Sequence, residues 1–321
     1  EEEGGRPWLE RHDSCRLRRS SRCSRRSSRC SLPGERCRSS VMCSTVAPSF
    51  QWQRPEHVLF FVDWDDTLLP TTWLAARPWF PEWSRGESEE APEMPPEDRA
   101  LLADLDHTAR AFLLAAGCLG HVCCVTLAAR PWQARTMRAF LPRLAQAWAE
   151  LGVEVSYAQE MKCRSAGESA AWVPIADDPL EHAVAREELG VRKKKRAMRR
   201  LLRRRLGRSS WRNVLSFGDG TTEQNAMQEL AFELAGACNA CGGDSEQGGL
   251  LVKTVKMLED PDCAQLCEEL QTLTACLPSA VSLVDDFNVT VEEGEEGLLD
   301  TYHKLAYLAE AADAGNPTLL T

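Results

Sequence analysis

The residues best equipped for chemistry in this 321-residue chain are a set of acids, a hydroxyl and a lysine, set out in order along it. The first group reads Asp63–Trp64–Asp65–Asp66–Thr67–Leu68. Two carboxylates two residues apart at the end of an extended segment project toward the same side. One of them, beside a cation, is a competent nucleophile toward phosphorus. The other can protonate a departing alkoxide and later activate water. Thr126 ends a second apolar run, where a hydroxyl can hold a phosphoryl oxygen. A third group, Gly218–Asp219–Gly220–Thr221–Thr222–Glu223, combines glycines that admit close backbone approach with two acids that offer hard oxygen ligands to Mg²⁺. Between Thr126 and that group lies a basic run from Arg192 to Arg208, whose lysines can neutralise phosphate. Each group alone has an ordinary structural explanation, as an acidic turn, a strand-end threonine, a helix-start acid or a solvated helix face. Their order and complementary roles carry the weight.

Such groups need buried strands to hold them. His57–Asp63 (HVLFFVD) is a short continuous apolar run of the kind buried on both faces of a parallel sheet. His121–Leu127, Val153–Tyr157, Asn213–Phe217 and Leu250–Val255 read as further strands. Helices are expected over Glu97–Ala116, Trp132–Leu151, the basic run after Leu189, Glu223–Leu234 and Cys263–Cys276. Strands alternating with helices predict a three-layer α/β domain with a parallel sheet. Ligands of such sheets bind at the carboxyl ends of the strands. The acids and Thr126 all fall there.

With these motifs in that order, the chain resembles the haloacid dehalogenase-like (HAD) superfamily. The likeness lies in D-x-D-x-T at Asp63–Thr67, the strand-end Thr126, a lysine, and the acidic loop from Gly218 to Glu223, and it covers about residues 56–277. FVDWDDTLLPTTWL is also similar to a group of protist and algal HAD-like proteins. The resemblance implies a Rossmann-like fold and a Mg²⁺-dependent phosphomonoester hydrolase working through an aspartyl-phosphate. In it Asp63 matches the nucleophile, Asp65 the general acid/base, Thr126 the phosphate-binding hydroxyl, and Asp219 the principal metal ligand. Glu223 supports the metal or pairs with the lysine, and Asp63 and Asp65 complete the expected metal set. The lysine falls at Lys194, three residues before Ala197–Met198, with Lys195 as the alternative within 193–195. Asp65 argues for rapid turnover of the phosphoenzyme, as in a phosphatase. Only about 30 residues separate Thr67 from the next helix, too few for a folded cap domain, so the cap is minimal. An open site of this kind resembles enzymes acting on macromolecules, phosphoproteins included. Trp73, Trp79, Phe80 and Trp83 in that insertion are equally suited to plain packing. A catalytically silent scaffold with the same fold is the alternative.

Composition bounds the rest. With 43% hydrophobic residues the chain can fill one substantial domain, and no stretch approaches the ~20 apolar residues of a membrane span. Net charge is −10, but residues 1–50 stand at +5 with 11 Arg and no Lys. An evenly basic nucleic-acid binder is excluded; only local basic patches survive. RRSSRCS occurs twice in succession from Arg18 to Ser31, with no apolar face, so residues 1–52 are expected to be a disordered tail. RNA binding by that tail is the weaker alternative to simple solvation. Residues 53–277 form the expected catalytic domain and 278–321 an acidic extension with a helix over Gly297–Ala312. The 14 cysteines are not spaced as a disulfide framework, which fits a reducing, intracellular compartment, cytoplasmic or nuclear. Cys238-x-x-Cys241 with Cys263-x-x-x-Cys267 is a loose match to a zinc site, and Asn288–Thr290 a glycosylation sequon expected to be inert.

Overall fold

The computed structural model describes residues 51–161, 179–206, 212–240, 250–291 and 303. The Arg/Ser segment, the helix expected over 297–312 and most of the second insertion lie outside them.

Six parallel strands make one sheet: β1 (Val58–Val62), β2 (His121–Thr126), β3 (Glu154–Tyr157), β4 (Arg212–Gly218), β5 (Leu250–Lys256) and β6 (Phe287–Thr290). Their order across the sheet is β3-β2-β1-β4-β5-β6. The helices are α1 (Thr71–Ala75), α2 (Phe80–Arg85), α3 (Pro96–Leu119), α4 (Arg130–Phe140), α5 (Pro142–Leu151), α6 (Pro179–Arg205), α7 (Thr221–Ala240) and α8 (Cys263–Ser282). This is a Rossmann-like three-layer fold, as the alternation of strands and helices predicts.

The central strand explains the layering. All five residues of β1 are buried, and successive side chains go to opposite faces. Val58, Phe60 and Val62 join a core with the apolar stripes of α3, α5 and α8. Leu59 and Phe61 join a second core with Ala197, Met198, Leu201 and Leu202 of α6 and Met227 and Leu230 of α7. β1, dressed on both faces, is apolar throughout, and its first acid, Asp63, comes where the strand ends.

The chain leaves β1 toward β2 and β3, then returns to the other side of β1 with β4. The strand order therefore reverses between β1 and β4, which is where open α/β sheets place their ligands. The acids predicted from sequence follow those two strands.

Three expectations change, and the open choice for the aromatic insertion falls to packing. Trp132–Leu151 is two helices, because Pro142 cannot continue α4 and instead opens α5. Helix α6 begins at Pro179, well before the basic run. Helix α8 runs to Ser282 and β6 pairs with β5, so the sheet domain continues past residue 277. The insertion between β1 and α3 is built into the core: Phe80 and Trp83 are buried, and their rings pack with Phe140 at 6.2 and 4.7 Å. Among the described residues no helix is long and apolar enough to cross a membrane.

Candidate active site

Trp64 sets the direction of the two acids that flank it. Its ring is fully buried, edge-on to Trp148 at 5.9 Å, and its Nε1 donates to Thr136 Oγ1 at 3.2 Å. With Trp64 locked into the core, alternation turns Asp63 and Asp65 to the other side. The backbone then closes tightly: Asp66 takes a left-handed φ of 50°, and its carboxylate accepts from the Thr72 N–H at 2.9 Å, capping α1. A buried acid-rich turn of this kind stays ordered because its own side chains satisfy its backbone.

Asp63 is 7% exposed, and its Oδ2 accepts from Lys194 Nζ at 2.7 Å. Lys194, itself 1% exposed, also pairs with Glu223 at the start of α7. Gly218 makes this possible, since a Cβ there would collide with the Glu223 side chain. Asp219 follows Gly218 and is fixed by Thr67, whose Oγ1 donates to Asp219 Oδ1 at 3.3 Å and accepts from its N–H at 3.1 Å. Carboxylate oxygens of Asp63, Asp219 and Glu223 lie within 4.8 Å of one another.

Charge in this cluster does not balance. Three carboxylates face one ammonium, and both Asp63 Oδ1 and Glu223 Oε2 are buried without a hydrogen-bond partner. Such atoms are costly unless a further cation or donor serves them. Burial and the neighbouring Asp63 charge push the Asp219 carboxyl up to about 7. An all-oxygen acidic set with orphaned atoms fits a hard divalent cation such as Mg²⁺.

Asp65 is held apart from those three. Its Oδ1 accepts from Thr71 Oγ1 at 2.7 Å and from Trp132 Nε1 at 2.9 Å. Burial raises its carboxyl above the usual aspartate value despite those two donors. Trp132 is in turn buttressed by the insertion, edge-on to Phe80 at 6.0 Å. Arg135 lies over Trp83, 4.4 Å from the ring centroid, and donates to Ser84 O at 2.8 Å. The aromatic residues of the insertion thus support the site from behind.

Thr126 ends β2 on the same sheet edge and is completely buried, its Oγ1 accepting from Ala128 N at 2.9 Å. That leaves the hydroxyl proton free to donate elsewhere. The basic run separates cleanly: Lys194 faces the acids, whereas Lys195 crosses to Glu229 and Glu233 on α7.

No family model, curated protein or solved structure matches this chain. Its site must be judged by geometry alone.

Of the residues predicted from sequence, Asp63, Lys194, Asp219 and Glu223 meet in one cluster. Asp65 lies behind its own pair of donors, and Thr126 stands on the neighbouring strand end. Sequence reasoning missed Thr67, Thr71 and Trp132 as partners. Thr67 had a signal, as the last residue of D-x-D-x-T. Trp132 had only its place one turn past the second strand.

Proposed function

We propose that the chain is a Mg²⁺-dependent phosphomonoester hydrolase of the HAD type, acting through an aspartyl-phosphate on Asp63. The observation that carries this is the buried cluster at the β1/β4 crossover, in which Asp63 keeps one oxygen free while Lys194 holds the other. Asp63 Oδ1 is the nucleophile. It forms a bond to phosphorus as the bond from phosphorus to the leaving oxygen breaks. Lys194 fixes the rotation of the attacking carboxylate and adds positive charge where phosphoryl oxygens gather. Thr126 offers its hydroxyl proton to one of those oxygens. Asp65, with its Oδ1 engaged by Thr71 and Trp132, uses Oδ2 to give a proton to the departing alkoxide. It then takes a proton from the water that attacks the phosphoenzyme, which releases phosphate and restores Asp63.

Asp63, Asp219 and Glu223 would hold Mg²⁺, which supplies charge neutralisation for phosphate. The insertion after β1 spends Phe80 and Trp83 on the core, which supports a phosphorylated substrate as large as a protein as well as small phosphate esters. A panel of phosphosubstrates, phosphopeptides included, tests the proposal with Mg²⁺ and with EDTA. Phosphate release that needs Mg²⁺ and vanishes in Asp63→Asn is expected. Equal background rates for wild type and Asp63→Asn across the panel would favour the scaffold instead.

A further inference from the structure

Away from the acid cluster, the outer face of α6 carries a surface groove of about 420 Å³ lined entirely by Arg196, Arg199, Arg200, Arg203 and Arg204. Arg196, Arg200 and Arg203 are spaced i, i+4 and i+7, so they form one stripe about 10 Å long. The buried face of the helix, Ala197, Met198, Leu201 and Leu202, fixes that stripe outward. Two of the five are shared with carboxylates, Arg199 with Glu233 and Arg204 with Glu154. Arg200 and Arg203 are exposed, and among the described residues no acid pairs with them.

The neighbouring helix adds an aromatic ring. Pairs from Lys195 and Arg199 to Glu233 lock α6 beside α7. Phe232, one residue before Glu233, is 83% exposed and is the only aromatic among the large exposed apolar residues described. The helix beside the stripe thus carries an exposed ring next in sequence to the acid that pairs with Lys195 and Arg199. Elsewhere the chain is acidic: outside residues 1–50 and 192–208 its charge sums to −26.

We propose that this face of α6 and α7 binds single-stranded nucleic acid, with phosphates along the arginine stripe and a base stacked on Phe232. Guanidinium forks match phosphate oxygens in pairs, and base stacking on an exposed ring is how single strands are held without sequence preference. A folded acidic protein would cover about 800 Å² per partner and so overlap the surrounding acidic surface. A single strand can follow a narrow stripe.

Fluorescence anisotropy of a labelled 12-nucleotide oligouridylate on the full chain tests this. At about 0.1 M salt, Arg200→Gln with Arg203→Gln should weaken binding roughly tenfold, and the slope of log affinity against log salt should fall by about 1.4. Phe232→Ala should weaken the oligonucleotide about fivefold or more. Asp63→Asn should bind as wild type does, because the groove is separate from the acid cluster. All four positions keep the residues 1–50 arginines, so any difference belongs to α6 and α7. Unchanged affinity and slope in the double arginine variant would overturn the proposal. So would a polyglutamate peptide that competes as well as unlabelled oligouridylate while Phe232→Ala has no effect, which would mark an acidic-protein surface. A melting temperature equal to wild type is expected of each exposed-site variant.

Discussion

Among the described residues two lysines are almost completely buried, and they are held in opposite ways. Lys253, on β5, donates to three main-chain carbonyls at the end of α8: Ala280 at 2.7 Å, Val281 at 3.4 Å and Leu283 at 2.6 Å. Burial pulls its ammonium down to about 7, against the opposing pull of Asp286 and Asp285. Its donors are used up on a helix terminus whose carbonyls need them, and the helix dipole favours a cation there. Lys194 instead meets two side-chain carboxylates, each of which retains a buried oxygen with no partner. A buried charge matched by the backbone is complete and structural. At Lys194 the partners remain over-supplied with negative charge. That contrast supports the proposal that the Lys194 cluster is the working site and Lys253 a structural pin.

The largest expected effect breaks the Lys194 side of the comparison. Lys194→Met should cut phosphate release by roughly 10²–10³-fold, the scale of losing one charge-stabilising donor. It should also lower stability without metal, and Mg²⁺ should recover part of that loss, as read in a melting scan with and without EDTA. Lys253→Met should do the reverse. Activity per folded molecule stays, while the Ala280 and Leu283 carbonyls lose their donor (Val281 O keeps Asn213 Nδ2) at a cost of about 2–4 kcal/mol, or roughly 5–10 °C in melting temperature, with no response to Mg²⁺.

A smaller effect is expected where the insertion meets the site. Trp132→Phe removes one of two donors to Asp65 Oδ1 but keeps the ring packed on Phe80. It should lower kcat about tenfold for alkyl phosphates, which need a proton on the leaving oxygen, and far less for an activated aryl phosphate. Equal losses on both would assign Trp132 a packing role only.

The smallest effect is a pH slope. Glu269 on α8 is fully buried, accepts from Leu258 N at 2.8 Å, and is pushed up to about 7 by burial, with the Asp219 charge adding to it. From its ordinary 4.5 up to about 7 the folded state keeps a proton that the unfolded chain has released. Stability should therefore fall as pH rises across that window. Glu269→Gln should flatten this part of the denaturation-midpoint curve measured in EDTA; an identical slope would show that Glu269 does not hold the proton.

Much of this was legible in the sequence, for a physical reason. Strands buried on both faces must be short apolar runs, so β1, β2 and β4 announced themselves, and with them the acids at their ends. The resemblance left the lysine open within 193–195, with Lys194 first by its place before Ala197; the structure sets Lys194 against the acids, while 3.6-residue periodicity sends Lys195 toward α7. Strand β6 was hidden: Phe287–Thr290 is short, at the sheet edge and only half-buried, so its pattern resembles a loop. The start of α6 was hidden by the many charges of residues 181–190. Partners such as Trp132 for Asp65 depend on contacts across 67 residues of chain, which no local pattern encodes. Lys253 did leave a trace, a lone lysine inside LLVKTVK. Only the structure supplies the helix end that receives it.

The central claim is that Asp63 attacks phosphorus while Asp65 moves protons. Acid quench of the Asp65→Asn protein turning over an aryl phosphate with Mg²⁺ tests it most directly. The account predicts a trapped phosphoenzyme, mapped by mass spectrometry to Asp63, and none in Asp63→Asn. An adduct on Asp65 in the Asp63→Asn protein, with none in Asp65→Asn, would show that the two roles are reversed.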